Sequence, residues 1–175
     1  MAVAPGDTWA ADALAGLPRT VCLPCGGETR AETVLNTLQS LDKDEQAWVL
    51  VHDAARPGLP RQALARLIDA CLQAQRGGLL ALPVPDTVKR ATPAEPAAVQ
   101  ETVDRDGLWL AQTPQLFPAH ALREALQAAK EQGFVVTDEA SAMELAGSQA
   151  LLILGSARNF KVTWPEDFEL MEKWL

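Results

Sequence analysis

Apolar residues occur along this chain in two alternating arrangements, short continuous runs and stripes with helical spacing. Continuous runs are typical of strands that are buried on both faces of a sheet. The runs lie at residues 48–52, 79–84 and 151–154. The stripes, which are typical of helices with one face on a core, lie at residues 30–41, 60–72 and 119–132. Because runs and stripes alternate, the pattern predicts an α/β fold with a parallel sheet and right-handed crossovers.

Weaker signals predict further elements. Short strands are expected at residues 1–5, 20–23 and 159–162, and a weak helix at residues 8–17. Leu108–Phe117 predicts a strand followed by a turn at Thr113-Pro114, because a proline of this kind commonly marks a turn. The acidic segment Thr137–Ala140 predicts the start of a helix, since carboxylates are favourable in a first helical turn.

Residues 85–107 differ in character from the rest of the chain. Segments 85–93 and 99–105 are extended, alternating and polar, and a proline-rich stretch lies between them. Because they carry too little apolar surface to lie inside the domain, we predict a protruding β-hairpin arm. A two-stranded arm is marginally stable alone, which favours a second subunit as its packing partner. An ordinary solvent loop is the alternative.

The composition indicates one acidic domain. A chain of 175 residues suits a single domain, 1–175, that buries its own core. The net charge of -8 and the pI near 4.7 make nucleic acid and anionic membranes poor partners. No apolar run is long enough to span a bilayer, and the first residues do not resemble a signal peptide. We therefore expect a cytoplasmic protein.

The three cysteines give no clear sign of special chemistry. Their odd number is consistent with reduced thiols. Cys22 and Cys25 have CxxC spacing, but no second pair exists and both histidines lie far away in sequence. Packing at the end of a strand is therefore favoured over a metal or redox role.

The stretch Trp48–Pro57 contains the first candidate chemistry. Its apolar run ends abruptly in Asp53, and Arg56 follows three residues later. In open α/β sheets the ligand crevice lies outside the carboxyl ends of the strands. An acid there could hold a divalent cation, and an arginine could bind a phosphate. The alternative is that Asp53 caps the following turn and pairs with Arg56.

A glycine-rich loop before the helix at 30–41 is the second candidate. Gly26 and Gly27 expose backbone N–H groups that could hold a base or a phosphate. Two glycines before a helix are common, so this signal is weak alone. His52 invites a general-base role, although a histidine in an apolar strand is more typical of a packed structural group.

Five segments in one order resemble the 2-C-methyl-D-erythritol 4-phosphate cytidylyltransferases, over the whole length of the chain. The segments are Gly26–Val34, Val51–Pro57, Thr102–Arg105, Thr113–Phe117 with Thr137–Ser141, and Asn159–Thr163. The DAARP and TDEAS stretches are specific to this family and its close relatives, which include the ribitol 5-phosphate cytidylyltransferases. The resemblance implies a Rossmann-like, three-layer nucleotidyltransferase fold with a mostly parallel sheet.

The resemblance implies that the phosphate of methylerythritol phosphate attacks the α-phosphorus of CTP and releases pyrophosphate. No covalent enzyme intermediate is expected, and alignment and charge neutralisation matter most. By the same resemblance, residues of this chain match family positions with known roles. They are Asp53 for Mg²⁺ or another divalent cation, Arg56, Thr113, Thr137 and Lys161 for methylerythritol phosphate, and Gly27 and Thr33 for cytidine.

The resemblance also gives the arm a role. In the family the arm embraces a neighbouring subunit and delivers residues that match Thr87 and Arg105 into the other subunit's site. Arg105 and Lys161 would then hold the attacking phosphate in line. A homodimer is implied. From the residues alone, Arg105 could equally be a surface ion pair with Asp104 or Asp106, and Lys161 a solvated lysine.

The resemblance further implies a segment that this sequence does not show. The family begins with a strand, a glycine-rich loop with basic residues that grip the CTP triphosphate, and a helix. That part would amount to about fifty residues, which is the usual length of a strand, loop, helix and return. We expect that the sequence is a fragment of a normal enzyme; a genuinely shortened protein, or a non-catalytic module that binds a sugar phosphate and dimerises, is the alternative.

We predict that the 175-residue polypeptide releases no pyrophosphate from CTP and methylerythritol phosphate. The reason is that the basic triphosphate clamp implied by the resemblance is not in the sequence. A coupled pyrophosphate assay with Mg²⁺ present checks this prediction. Release above the enzyme-free rate would contradict it and would mean that other residues grip the triphosphate.

Overall fold

Residues 1–41 and 46–175 are described by a computed structural model that contains six α-helices and six strands in these two ranges. The helices are α1 (Ala10–Ala13), α2 (Arg30–Ser40), α3 (Arg61–Ala74), α4 (Ala119–Glu131), α5 (Glu139–Leu145) and α6 (Pro165–Glu172). The strands are β1 (Trp48–Val51), β2 (Gly78–Pro83), β3 (Val88–Ala91), β4 (Val99–Val103), β5 (Trp109–Pro118) and β6 (Leu151–Leu154). None of the described helices is long and apolar enough to cross a membrane.

The central sheet is mixed, with the strand order β1-β5-β2-β6. β2 and β6 pair in parallel, with Gly78 opposite Leu151. β5 pairs antiparallel with both β1 and β2, and Trp48 lies opposite Pro118. The predicted α/β class is confirmed, and β1, β2 and β6 share one direction as predicted. The sheet is mixed rather than purely parallel, because β5 runs antiparallel to both of its neighbours.

The path of the chain explains the direction of β5. The chain leaves β2, runs out through the hairpin of β3 and β4, and returns beside β2 as β5. Two neighbouring strands joined in this way form a wide hairpin, so they must be antiparallel. The base of this hairpin is closed by the Val84 N–H, which donates to the Leu108 carbonyl at 3.0 Å. β5 therefore separates β1 from β2.

β5 continues through Thr113 and Pro114, where the sequence predicted a turn. That prediction was wrong. The pairing of β2 with β5 shifts register between Leu79 and Ala81, so β5 has extra residues at this point. Pro114 lies in this irregular stretch, where its missing N–H costs the sheet no regular hydrogen bond. The irregularity also lies at the point where Thr113 reaches the rim of the sheet.

Three predicted short strands are not regular strands. Residues 1–5 and 20–23 contribute only an isolated parallel bridge between Ala2 and Leu23. Residues 157–159 form a 3-10 turn, and after it Val162 donates one hydrogen bond to the Ala55 carbonyl at 2.8 Å. A groove of about 490 Å³ lies between the first residues and β1. In the described part of the chain, β1 has one strand neighbour, β5.

Helices cover both faces of the sheet, as the predicted three-layer arrangement requires. Side chains of α2, α4 and α5 pack with Leu79 and Phe117 on one face, and the side chain of Phe117 is 1% exposed. On the other face, Leu67 and Cys71 of α3 pack against Leu80. These two clusters fix the sheet between its helices and hold the carboxyl end of β1 in place.

The predicted hairpin arm is present as β3 and β4, which pair antiparallel in a sheet of their own. Its cross-strand ion pair joins Arg90 Nε to Glu101 Oε1 at 2.6 Å, and both side chains are exposed. Val99 is 64% exposed, and Trp109 and Leu110 at the start of β5 are exposed as well. Within one chain the arm and the adjacent start of β5 therefore leave apolar side chains in solvent.

Candidate active site

A cavity of about 280 Å³ lies beyond the carboxyl end of β1. Five of the residues that the sequence proposed for the site line this cavity, although they come from separate parts of the chain. They are Asp53, Arg56, Thr113, Thr137 and Lys161. Arg30, Gln112, Gln115 and Asp138 complete the polar part of the wall. The fold therefore brings two of the three proposed cationic residues, Arg56 and Lys161, to the same place as the proposed metal ligand.

Asp53 is held between two cations. Its Oδ1 accepts a hydrogen bond from Arg30 Nε at 2.9 Å, and its Oδ2 lies 3.3 Å from Lys161 Nζ. Burial works to raise the pKa of Asp53, but the hydrogen bond and charge of Arg30, with the charge of Lys161, outweigh it. The pKa of Asp53 consequently lies below its ordinary value, and the side chain is a carboxylate at neutral pH.

Arg30 and Glu139 were not among the residues proposed from the sequence. Arg30 is the first residue of α2, and its Nη1 and Nη2 donate to the two carboxylate oxygens of Glu139 at 2.7 and 3.0 Å. Glu139, in the first turn of α5, is 1% exposed. Burial works to lower the pKa of Arg30, but Glu139 and Asp53 raise it overall. Both residues lie within the segments that carried the resemblance, which is the only signal that could have found them.

Arg56 is fixed by the segment that follows β6. Its Nη1 donates to the Asn159 carbonyl at 2.8 Å. Asn159 is fully buried, and its Nδ2 donates to the Thr113 carbonyl at 2.7 Å. Burial lowers the pKa of Arg56, but an arginine remains charged throughout the physiological range. The guanidinium therefore stands beside the cavity as a fixed positive charge.

A short hydrogen-bond chain ties Thr113 to His52. The Asp53 N–H donates to Thr113 Oγ1 at 3.0 Å, and Thr113 Oγ1 lies 3.0 Å from His52 Nδ1. His52 Nε2 lies 3.0 Å from the Arg56 carbonyl, which can only accept. Burial lowers the pKa of His52, so the ring is neutral, its Nε2–H donates to Arg56, and the Thr113 hydroxyl donates to Nδ1.

Both nitrogens of His52 are therefore occupied by its own neighbours. A general base needs a free ring nitrogen within reach of the proton that it removes. His52 is exposed rather than packed, but its hydrogen bonds favour a structural role over the general-base role. What His52 does is hold the hydroxyl of Thr113 and the backbone of the Asp53–Arg56 turn in register.

The start of α5 forms the opposite wall. Asp138 caps the helix, since its Oδ1 accepts from the Ser141 N–H at 2.9 Å while Ser141 Oγ accepts from the Asp138 N–H. Gln115, which is buried in β5, donates to Asp138 Oδ2 at 2.9 Å and accepts from the Ala140 N–H at 2.8 Å. These bonds fix the capping segment and leave Thr137 exposed at the mouth of the cavity.

The two residues proposed for cytidine lie next to this cavity. The Gly27 N–H donates to Thr33 Oγ1 at 2.9 Å, so the loop and the first turn of α2 are joined directly. A β-carbon at Gly27 would lie 2.4 Å from Cγ of Glu32, so the loop can approach the helix this closely only with glycine there. Thr33 lines the neighbouring groove beside β1, which shares Arg30 and Asp53 with the cavity.

Thr87 and Arg105 do not join the other proposed residues in this chain. Neither lines the cavity around Asp53. Arg105 lies where the arm returns to the domain, and its Nη1 donates to the Pro85 carbonyl. The proposal that these residues act in a neighbouring subunit's site therefore stays a prediction.

The donor set around Asp53 suits Mg²⁺ only in company with phosphate. Within residues 1–41 and 46–175, no three His, Cys, Asp or Glu side chains are close enough to hold a metal ion. Mg²⁺ is commonly bound by one or two carboxylates together with substrate phosphates and water. Asp53 lies at the wall of an open, cationic cavity whose other carboxylate, Asp138, caps α5, and this arrangement fits that mode of binding.

An α/β sheet with a carboxylate at its rim, surrounded by cations from its own turn and from two further segments, is typical of α/β proteins that bind phosphate groups. Solved structures of similar fold belong to the nucleotidyltransferases. The family model of the 2-C-methyl-D-erythritol 4-phosphate cytidylyltransferases, IspD, matches residues 1–175. The chain belongs to this family.

Individual relatives agree with this assignment. A protein of this name from Bordetella petrii is 65% identical over 175 residues, which are 100% of this chain and 76% of the relative. One from Ralstonia nicotianae is 51% identical over 90% of this chain and 64% of its own length. A crystal structure of 4-diphosphocytidyl-2C-methyl-D-erythritol synthase has a TM-score of 0.89 at 46% identity, with 99% of this chain and 79% of that chain covered. The Thermus thermophilus cytidylyltransferase has a TM-score of 0.84 at 35% identity, with 98% and 79% covered.

We predict that Thr113→Val destabilises the protein far more than Thr113→Ser. Valine leaves the Asp53 N–H without an acceptor and His52 Nδ1 without a donor. An unsatisfied buried group costs about 1–3 kcal/mol, and less where water can replace the partner, as at the exposed His52. Serine keeps the hydroxyl. Urea denaturation measures the free energy of unfolding, with Thr20→Val at an exposed threonine as the control. Equal stability of the valine and serine variants would contradict this account of the hydrogen-bond chain.

Proposed function

We propose that this site serves cytidylyl transfer from CTP to 2-C-methyl-D-erythritol 4-phosphate, a step of isoprenoid biosynthesis that gives 4-diphosphocytidyl-2-C-methyl-D-erythritol and pyrophosphate. One observation carries the proposal. In a chain of this family, Arg56 and Lys161 line the same cavity as Asp53, the carboxylate proposed to hold the cation. Such a cavity suits a ligand with several phosphate charges.

The chemistry asks for position and charge rather than for a proton acceptor. The phosphate of the acceptor is already an anion at neutral pH, so it needs no base to become a nucleophile. Lys161 and Arg56 hold that phosphate and neutralise its charge, because fixed cations stabilise the charge that builds up at the reacting phosphorus. Thr137, at the mouth of the cavity, offers a hydroxyl to the sugar hydroxyls of the acceptor.

Asp53 would hold the divalent cation, and Gly27 and Thr33 would contact the cytidine. When bound, Mg²⁺ supplies positive charge to the phosphate oxygens. Lys161 can leave Asp53 readily, because their separation of 3.3 Å is long and the lysine is 49% exposed. Thr33 and Asp53 line the same groove, which supports the proposal that the base and the phosphates of one nucleotide contact neighbouring residues.

We also propose that the protein acts as a cytoplasmic homodimer, with the arm of one subunit at the site of the other. The arm supports this because it leaves Val99 exposed and holds Thr87 and Arg105 away from their own cavity. Arg105 from a second copy would add a cation for the attacking phosphate. The three free cysteines support a reducing compartment.

We expect methylerythritol phosphate to bind, and to bind more tightly when CTP and Mg²⁺ are both present, since the phosphate and the cation share Asp53 and Lys161. Isothermal titration calorimetry with and without each partner measures this coupling.

Lys161→Gln should weaken the binding of methylerythritol phosphate about tenfold or more, because a charged hydrogen bond contributes about 1.5–3 kcal/mol. Lys173→Gln, at an exposed lysine after α6, is the control.

Each outcome of that titration has a meaning. Binding that is indifferent to CTP and Mg²⁺ would point to a sugar-phosphate-binding module and would contradict the proposed reaction. Tighter binding of ribitol 5-phosphate than of methylerythritol phosphate would show that ribitol 5-phosphate is the acceptor. Equal effects of the Lys161 and Lys173 variants would show that the cavity is not the binding site.

One chain has a mass of 18.8 kDa. We expect the protein to sediment with twice this mass, and to become a monomer when the arm is removed. The base of the arm is closed by Val84 and Leu108, so a short glycine linker can replace residues 86–106 without disturbing the sheet. Sedimentation equilibrium measures the mass, and circular dichroism verifies that the shortened chain is folded. Phe168→Ala, at an exposed apolar residue outside the arm, is the control. A folded, shortened chain that is still dimeric would rule out the arm as the interface.

A further inference from the structure

A network of charged hydrogen bonds connects a buried carboxylate to a carboxylate of the cavity through one arginine side chain. Glu139 is buried at the start of α5, Arg30 begins α2, and Asp53 follows β1. The guanidinium of Arg30 uses Nη1 and Nη2 on Glu139 and Nε on Asp53, at 2.7, 3.0 and 2.9 Å. Three separate elements are therefore joined by one planar group.

The geometry of this contact gives each partner a different role. A carboxylate that accepts both Nη donors of an arginine fixes the plane of the guanidinium, because the two parallel bonds allow little rotation. With Glu139 setting that plane, the direction of the Arg30 Nε–H is set as well. That bond holds Oδ1 of Asp53, so Oδ2 is the oxygen that faces Lys161 in the cavity.

The position of Glu139 also argues against a role in stability alone. Burial of an ion pair costs desolvation, and apolar residues of similar volume are often as good or better for stability. Here the buried carboxylate holds an arginine whose remaining donor points at the carboxylate that lines the cavity. Ligand-orienting groups outside a metal site act in this way, and their loss typically costs 10–100-fold in metal affinity.

We propose that Arg30 and Glu139 are positioning residues of this site: Glu139 orients Arg30, and Arg30 presents Asp53 to the divalent cation that binds with the phosphates. The inference rests on the proposed function, because it assigns the cation to Asp53. Lysine cannot replace Arg30, since a single ammonium cannot make a planar fork to Glu139 and a fixed third bond to Asp53.

The test is a double-mutant cycle between Glu139 and Asp53, read by Mn²⁺ binding. Titration of Mn²⁺ into the protein with CTP present, followed by electron paramagnetic resonance, measures the affinity of the cation. Glu139→Gln and Arg30→Lys should each weaken Mn²⁺ binding about tenfold or more. Glu124→Gln, an exposed carboxylate that pairs with His120 on α4, is the matched control and should change nothing.

The cycle separates positioning from general damage. In an Asp53→Asn background, Glu139→Gln should have no further effect on Mn²⁺ binding, because its only route to the cation runs through Asp53. Additive effects of the two substitutions would overturn the proposal, as would full rescue by lysine at position 30. Circular dichroism on each variant verifies that the loss is not unfolding.

A second measurement stands apart from the cation. The Arg30 Nε–H should give a slowly exchanging ¹⁵N resonance that moves in Asp53→Asn and is lost in Glu139→Gln and Arg30→Lys. If the wild-type chain binds no Mn²⁺ with CTP while this resonance behaves as described, the proposed function fails and the positioning pair survives. If the resonance is unchanged in Glu139→Gln, the positioning pair itself is wrong.

Discussion

The contact on which the site depends is the guanidinium of Arg30. It joins the start of α2, the start of α5 and the end of β1, and it places a buried carboxylate, Glu139, and a cavity-facing carboxylate, Asp53, on one planar cation. The cavity wall contains three cations, Arg30, Arg56 and Lys161, and two carboxylates, Asp53 and Asp138, while Glu139 lies buried behind Arg30. At the cavity wall the cations therefore outnumber the carboxylates by one, which favours an anionic ligand in this partly buried place.

Much of the fold followed from local pattern, and the part that did not was decided by distant pairing. The apolar runs at β1, β2 and β6 and the stripes of α2, α3 and α4 predicted these elements closely. β5 could not be placed in the same way, since its position between β1 and β2 depends on the path through the arm rather than on its own residues. For the same reason the prediction of a turn at Thr113-Pro114 was wrong, because the proline lies in an irregularity of β5 that only the pairing with β2 reveals.

The residues of the site likewise differ in whether the local sequence pattern could have indicated them. Asp53 and Arg56 could be proposed from physical pattern alone, because an abrupt end to an apolar run marks the rim of a sheet. Lys161 was proposed only through the resemblance, since a lysine near the end of a segment has no local mark. Glu139 was missed because an acid in a first helical turn is ordinarily explained by the helix dipole. Its pairing with Arg30, 109 residues away, exists only in the folded chain.

His52 and Lys161 lie near the same rim of the sheet but are suited to different roles, one structural and one in binding the ligand. His52 has both ring nitrogens occupied by its own chain, so it serves to hold Thr113 and the turn after β1 in place. Lys161 is half exposed and loosely paired with Asp53, so an incoming phosphate can take it over. A reaction whose nucleophile is already an anion needs no proton acceptor, so a neutral histidine can fix the geometry of the rim while Lys161 binds the charge of the ligand. The histidine nearest the site is therefore better suited to support it than to act in it.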